Sequence, residues 1–123
     1  MHDDWHVTTV LIVDDHDSFR AAARRMLERE GFEVVGEAAD GTSAIALARA
    51  VRPDVVLLDV VLPDLSGFEV AERLGAGVPR VVLVSSRART DFGSRLRRSP
   101  AVGFISKDEL SGERIRELLG EAA

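Results

Sequence analysis

Five short apolar runs alternate along the chain with stretches whose apolar residues recur every three or four positions. The run 7–13 is continuous and rich in β-branched residues, which predicts a strand buried on both faces. A helix is expected from Ser18, with Phe19, Ala22, Ala23, Met26 and Leu27 as its apolar stripe and Gly31 as its stop. Residues 33–39 predict a second strand, more polar than the first, as at a sheet edge. A turn at Asp40-Gly41 opens a helix carrying Ala44, Ile45, Leu47 and Ala48, which has to end before Pro53. Residues 55–58 predict the third strand, 61–66 the loop after it, 67–74 a short helix and 75–79 a turn. The fourth strand is expected over 81–84 and the fifth over 102–105. Between them, 91–98 is a poor helical pattern, with Gly93 inside it and only Phe92 and Leu96 as anchors. The last helix, 110–119, has Leu110, Ile115, Leu118 and Leu119 as its apolar side.

Alternating strands and helices predict an α/β fold, a parallel sheet with helices on both faces and right-handed crossovers. Five strands in this length suit a flavodoxin-like, doubly wound sheet of order 2-1-3-4-5. Ligands of such sheets bind at the carboxyl ends of the strands, beside the switch point between strands 1 and 3. At 123 residues the chain is expected to be a single domain, 1–123, with its core over about 7–119. The net charge of −5 argues against direct nucleic-acid binding, which needs a basic face. The clusters Arg24-Arg25 and Arg95-Leu96-Arg97-Arg98 fall on helical patterns and are expected to be solvated faces. With no cysteine there is no disulfide framework or thiol chemistry, which fits the cytoplasm. No apolar stretch approaches the ~20 residues that span a bilayer. The first six residues are too polar and acidic for a secretory signal. Lys107-Asp108-Glu109-Leu110 is internal, where a retention address is not read.

Charge at the strand ends changes the picture. The run 10–13 stops at Asp14-Asp15, 55–58 stops at Asp59, and 102–106 stops at Lys107, the one lysine in a chain with fifteen arginines. Parallel strands end on the same side, so three carboxylates and one slim ammonium would share a rim. Such carboxylates repel one another and persist when a cation compensates them. Oxygen donors, with His16 the one nitrogen ligand nearby, favour a hard ion such as Mg²⁺. That ion suits phosphoryl chemistry, in which a carboxylate could be the nucleophile. Ser85 or Ser86 at the end of strand 4, with Lys107, would donate to the phosphoryl oxygens. No glycine-rich phosphate loop is present, so side chains and metal would have to hold the group.

Each residue also has a plainer reading. A strand-end Asp often only caps a loop or helix, and Ser at a strand end is more often a turn residue than a catalytic one. Phe104 is most simply a core aromatic. His2, Asp3, Asp4 and His6 could imitate a metal site, but a frayed terminus is the expectation. Trp5 is expected to be packing or tail, and His16 a loop residue near the site rather than a ligand. Three strand-end acids matched by the only lysine favour a site.

Four segments in order carry a family resemblance: Val13-Asp14-Asp15-His16, Asp59-Val60-Val61-Leu62-Pro63-Asp64-Leu65-Ser66-Gly67, Val84-Ser85-Ser86 and Gly103-Phe104-Ile105-Ser106-Lys107. Together they resemble the response-regulator receiver domain of two-component signalling, over roughly 7–119. The resemblance implies that Asp59 accepts a phosphoryl group from a histidine kinase. It implies Asp14, Asp15, Asp59 and the backbone carbonyl of Val61 as Mg²⁺ ligands, with Lys107 on the phosphoryl group. Ser85 takes the switch-hydroxyl position, Ser86 the small-residue position after it, and Phe104 the aromatic switch position. The implied protein is a signalling domain rather than an enzyme, switching the surface of helix 4, strand 5 and helix 5. Its implied partners are an output domain or protein, or a second copy in a phosphorylation-dependent homodimer.

Departures from the family pattern are few. Asp108 follows the lysine where many receivers have proline, so no cis prolyl bond is available there. The lysine-aspartate pair looks like receivers that carry a helix-turn-helix output domain, so the chain is expected to act alone or as the N-terminal part of a longer regulator. Ser66 replaces the usual acid before Gly67. The stretch 59–85 is a few residues short around 75–77, and Pro100 stands where a glycine-containing turn is commoner. Two alternatives come from other classes. Asp15-His16-Asp17 resembles the D-x-D loop of haloacid-dehalogenase-type phosphatases, which also use Mg²⁺ and phospho-aspartate. That family needs a longer chain, and Asp17-Ser18 reads well as a helix start. A flavodoxin-like module that binds without phosphorylation would lack a flavin phosphate loop.

Overall fold

The computed structural model describes residues 6–120, so the expectations for His2, Asp3, Asp4 and Trp5 lie outside the described residues. Strands β1 (Thr9–Val13), β2 (Glu33–Ala38), β3 (Val55–Asp59), β4 (Arg80–Ser85) and β5 (Gly103–Ser106) form one sheet in the order β2-β1-β3-β4-β5. Every pairing is parallel. The helices are α1 (Asp17–Arg29), α2 (Gly41–Val51), α3 (Gly67–Leu74), α4 (Ser94–Arg98) and α5 (Gly112–Leu118). This is the expected flavodoxin-like sheet.

The continuous apolar runs are explained by burial on both faces. Along β1 and β3 successive side chains point to opposite sides, and each side meets a helical layer. Val10, Ile12, Val55 and Leu57 pack with Ala23 and Leu27 of α1 and Ile115 of α5. Leu11, Val13, Val56 and Leu58 pack with Ala44 and Ile45 of α2 and Phe68 and Val70 of α3. Burying a side chain such as Leu57 contributes about 2 kcal/mol. The edge position of β2 accounts for its polar character.

Local signals set most helix ends. Asp40 caps α2 by accepting the Ser43 N–H at 2.7 Å. Ser66 opens α3 with a reciprocal capping box, accepting the Glu69 N–H while Glu69 accepts its own. That capping function is what a serine supplies in place of an acid before Gly67.

Several expected boundaries move. β1 begins at Thr9 rather than residue 7, because the Asp54 carboxylate takes the Thr9 N–H at 2.9 Å and Val7 lies exposed beyond it. β2 ends at Ala38, and β5 begins at Gly103 with the Val102 side chain exposed. α5 starts at Gly112, not residue 110: Ser111 caps it, and a 3-10 turn over Lys107–Glu109 leaves Leu110 extended but packed on the core. The largest departure is 91–98, which is no single helix. A 3-10 turn, Arg89–Phe92, is followed by Gly93 at φ +56° and then the five residues of α4. A left-handed residue breaks the helical hydrogen-bond ladder, and two apolar anchors do not offset that loss. The Val78–Pro79 peptide is cis.

Candidate functional site

Parallel strands deliver four side chains to one rim. Asp14 follows β1, Asp59 closes β3, Ser85 closes β4 and Lys107 follows β5. β1 and β3 are neighbours, so Asp14 and Asp59 stand beside each other where the strand order reverses.

Lys107 Nζ lies 2.6 Å from Asp14 Oδ2 and 3.2 Å from Asp59 Oδ2. The longer contact has hydrogen-bond geometry, whereas the shorter is an ion pair made off the hydrogen-bonding angle. Asp14 Oδ2 is therefore buried without a hydrogen bond. Both carboxylates are nearly sealed from solvent, at 0% and 3% exposure, and share a single ammonium. Burial, with help from neighbouring Asp14, pushes the Asp59 carboxyl up to about 6. The Val61 N–H, donating to Asp59 Oδ1 at 3.1 Å, and Lys107 oppose this without cancelling it. Burial acts on Asp14 too, but Lys107 and His16 hold its carboxyl below the ordinary value. For Lys107, burial is outweighed by Asp14 and Asp59, so its ammonium is held more firmly than usual. Asp59 thus carries the charge strain, while Asp14 makes the shorter of the two ion pairs.

Neighbours outside the expected set complete the rim. The His16 N–H donates to Asp14 Oδ1 at 2.8 Å, and its ring Nδ1 lies 2.9 Å from that oxygen and 3.1 Å from Asp15 Oδ1. Hydrogen bonding to Asp14 and the charge of Asp15 raise the imidazole's affinity for a proton. His16 is thus a loop residue beside the site, as expected, and is hydrogen-bonded into the acid cluster. Arg20 donates to the Asp14 carbonyl at 2.6 Å, and the Lys107 ammonium lies 4.3 Å from the centre of the Phe19 ring. Phe19 and Arg20 sit one turn after the acid pair, but nothing in their spacing announces these contacts.

Each of Asp14, Asp15, His16 and Asp59 offers a ligand atom, all within 4.8 Å of one another. Two buried carboxylates, one exposed carboxylate and a buried oxygen without a hydrogen bond are a donor set that fits a hard divalent cation. Of the two hydroxyls ending β4, Ser85 is buried and Ser86 exposed; Ser85 Oγ accepts the Arg87 N–H at 3.0 Å. Phe104 lies away from the rim in the core. Its ring is 5.7 Å from that of Phe92, and the Arg89 side chain covers it and donates to its carbonyl at 3.0 Å. The D-x-D loop of the phosphatase alternative is not formed. Asp17 begins α1, points into solvent and pairs with Arg20 rather than joining Asp15.

Comparison with known proteins assigns this fold and rim to a family. The response regulator receiver domain matches residues 10–119, so the chain belongs to that family and is a receiver domain of two-component response regulators. It is 42% identical over 102 residues to BvgA of Bordetella pertussis, covering 81% of this chain and 49% of that protein. It is 42% identical over 101 residues to the response regulator GacA of Pseudomonas aeruginosa, covering 80% of this chain and 47% of GacA. The chain thus spans about half the length of these relatives. Among solved structures, the signal receiver domain of NarL from Mycobacterium tuberculosis superposes with a TM-score of 0.80 at 33% identity, covering 94% of this chain and 95% of that one. The response regulator domain of Thermotoga maritima CheB gives 0.80 at 28%, covering 96% and 100%. The phosphatase alternative finds no support in these relatives. Among the described residues, no helix is long and apolar enough to cross a membrane.

Proposed function

We propose that Asp59 is the phosphoacceptor of this receiver and takes its phosphoryl group from the phosphohistidine of a histidine kinase in the cytoplasm. The observation that carries this reading is the Asp59 carboxylate itself, buried at the end of β3 beside Asp14 with one shared ammonium. An Asp59 oxygen forms the new O–P bond as the P–N bond breaks, and the electron pair leaves with the imidazole. Asp14, Asp15, Asp59 and the Val61 carbonyl would hold Mg²⁺. Bound there, the ion neutralises charge on the transferring oxygens. The Val61 N–H keeps one Asp59 oxygen oriented, and Lys107, which donates to the other, would donate to a phosphoryl oxygen.

Ser85 and Phe104 connect the site to output. If the Ser85 hydroxyl turns to the phosphoryl group, it gives up the Arg87 N–H and loosens the segment leading to α4. Phe104 lies beneath that segment, so the α4–β5–α5 surface is the one altered. The domain acts alone or as one unit of a longer regulator, and its partners are an output domain or protein, or a second copy. Its chemistry is limited to its own phosphoryl transfer and loss.

Incubation with acetyl phosphate and Mg²⁺ tests this. Mass spectrometry should show one added phosphoryl group, absent from Asp59→Asn and after chelation. Equal labelling in either control refutes the assignment, and labelling at Asp15 would revive the phosphatase reading.

A further inference from the structure

We infer that Asp64 is a positioning residue for the site: it fastens the loop 61–66 to the start of α2 and so fixes how Val61 is presented to the cation. The inference rests on the metal reading proposed above and assigns it a residue outside the rim. Four hydrogen bonds converge on the Asp64 carboxylate. Gly41 N–H donates at 2.7 Å and Leu65 N–H at 2.8 Å to Oδ1, while Thr42 N–H at 2.9 Å and the Thr42 hydroxyl at 2.7 Å donate to Oδ2. Together, with the Thr42 hydroxyl foremost, they hold the carboxyl far below the usual carboxylate range. All of these donors lie on α2 or the loop, so the carboxylate is committed to joining the two.

Helix capping accounts for part of this arrangement, since Asp64 takes the Gly41 and Thr42 N–H groups at the start of α2, but not for the Leu65 N–H, which belongs to the loop. α2 already has a cap in Asp40, which takes the Ser43 N–H. What Asp64 adds is a connection between elements distant in sequence. The base of the loop is clamped elsewhere: Val61 pairs with Ser66 as an antiparallel bridge, and the Gly67 N–H donates to the Val60 carbonyl at 2.7 Å. Gly41 allows the loop to approach, since a Cβ there would stand 2.9 Å from Leu65 Cβ and 2.9 Å from Val70 Cγ2. Val61 itself is 53% exposed, and its N–H donates to Asp59 Oδ1. Side-chain packing therefore does little to orient its peptide, and the fixed tip of the loop adds to the backbone restraint at its base. Groups that orient a metal's ligands typically change affinity by roughly 10–100-fold. A tie acting through three residues of backbone should lie at the lower end.

The test compares wild type with Asp64→Ala, Asp64→Asn and Asp40→Ala, each well below its unfolding temperature. Mg²⁺ affinity is read by calorimetry, and amide exchange over 61–66 is read in metal-free protein. Asp64→Ala should weaken Mg²⁺ by roughly 10-fold and speed exchange at Val61 and Leu65, with Asp64→Asn between it and wild type. Asp40→Ala, which loosens the same helix end without touching the loop, should lower stability but keep wild-type affinity. Wild-type affinity in Asp64→Ala, or an equal loss in Asp40→Ala, overturns the positioning role while leaving the metal reading intact. Absence of Mg²⁺ binding by wild type would instead overturn the metal reading, and this inference with it.

Discussion

Removing the charge at Asp59 should make the metal-free domain more stable. The carboxylate is almost fully buried and shares one ammonium with Asp14, so its ionisation in the folded state is costly. A rise in its carboxyl from 3.8 to about 6 corresponds to about 3 kcal/mol. The shared Lys107 ammonium offsets part of this, leaving on the order of 1–2 kcal/mol. Asn in this place keeps a carbonyl for the Val61 N–H and brings an amide donor towards the buried Asp14 oxygen that lacks a hydrogen bond. The sign follows from proton binding. Folded Asp59 keeps its proton to higher pH than the unfolded chain, so wild-type stability falls as pH rises from about 4 to about 6. Above that window the deficit is complete; below it both states are neutral and the deficit disappears. Thermal and urea unfolding with chelator should therefore place Asp59→Asn above wild type by about 5 °C near pH 7.5, with the gap closing by about pH 4. Millimolar Mg²⁺ should narrow the gap by stabilising wild type selectively. Equal stabilities across the range, or a gap that persists at pH 4, would refute the view that Asp59 is held in a strained charged state.

Other outcomes follow from the same geometry. Lys107→Arg should still bind Mg²⁺, and more tightly, but bind the phosphoryl mimic beryllofluoride roughly tenfold more weakly, because a broad fork engaged by the Phe19 ring and two carboxylates cannot place a donor where the compact ammonium does; wild-type affinity for the mimic would reduce Lys107 to a balancing charge. Gly67→Ala should destabilise the domain by about 3 kcal/mol in urea titration, since a Cβ there would stand 2.4 Å from the Asp59 carbonyl oxygen and 2.8 Å from Val60 Cα. Beryllofluoride should change hydrogen exchange most over 87–104, where Gly93 divides the segment before β5 and α4 has only five residues; changes confined to α1 and α2 would move the switch elsewhere.

The sheet and the rim were legible for the same reason. A strand covered by helices on both faces has to be apolar at every position, and it must end where charge can reach solvent or a partner. Val10 to Val13 before Asp14, and Val55 to Leu58 before Asp59, follow that rule, and five alternating strands in a chain of this length suit the order 2-1-3-4-5 that the sheet adopts. The segment 91–98 was legible only as a weak pattern, because one glycine and two apolar residues do not specify where a helix breaks.

Local order along the chain thus dictated which elements form, how they stack and which charged groups share an end of the sheet, because burial and backbone hydrogen bonding act within each segment. Packing between segments settled the rest. It chose Ser85 over Ser86 as the inward hydroxyl, drew His16 into the acid cluster and set Phe19 beneath the Lys107 ammonium. It also bound Asp64 to Gly41 and Thr42 across the gap between two loops. These contacts depend on distances and side-chain directions between elements far apart in the chain, and hydrophobic periodicity records only which face of each element is buried.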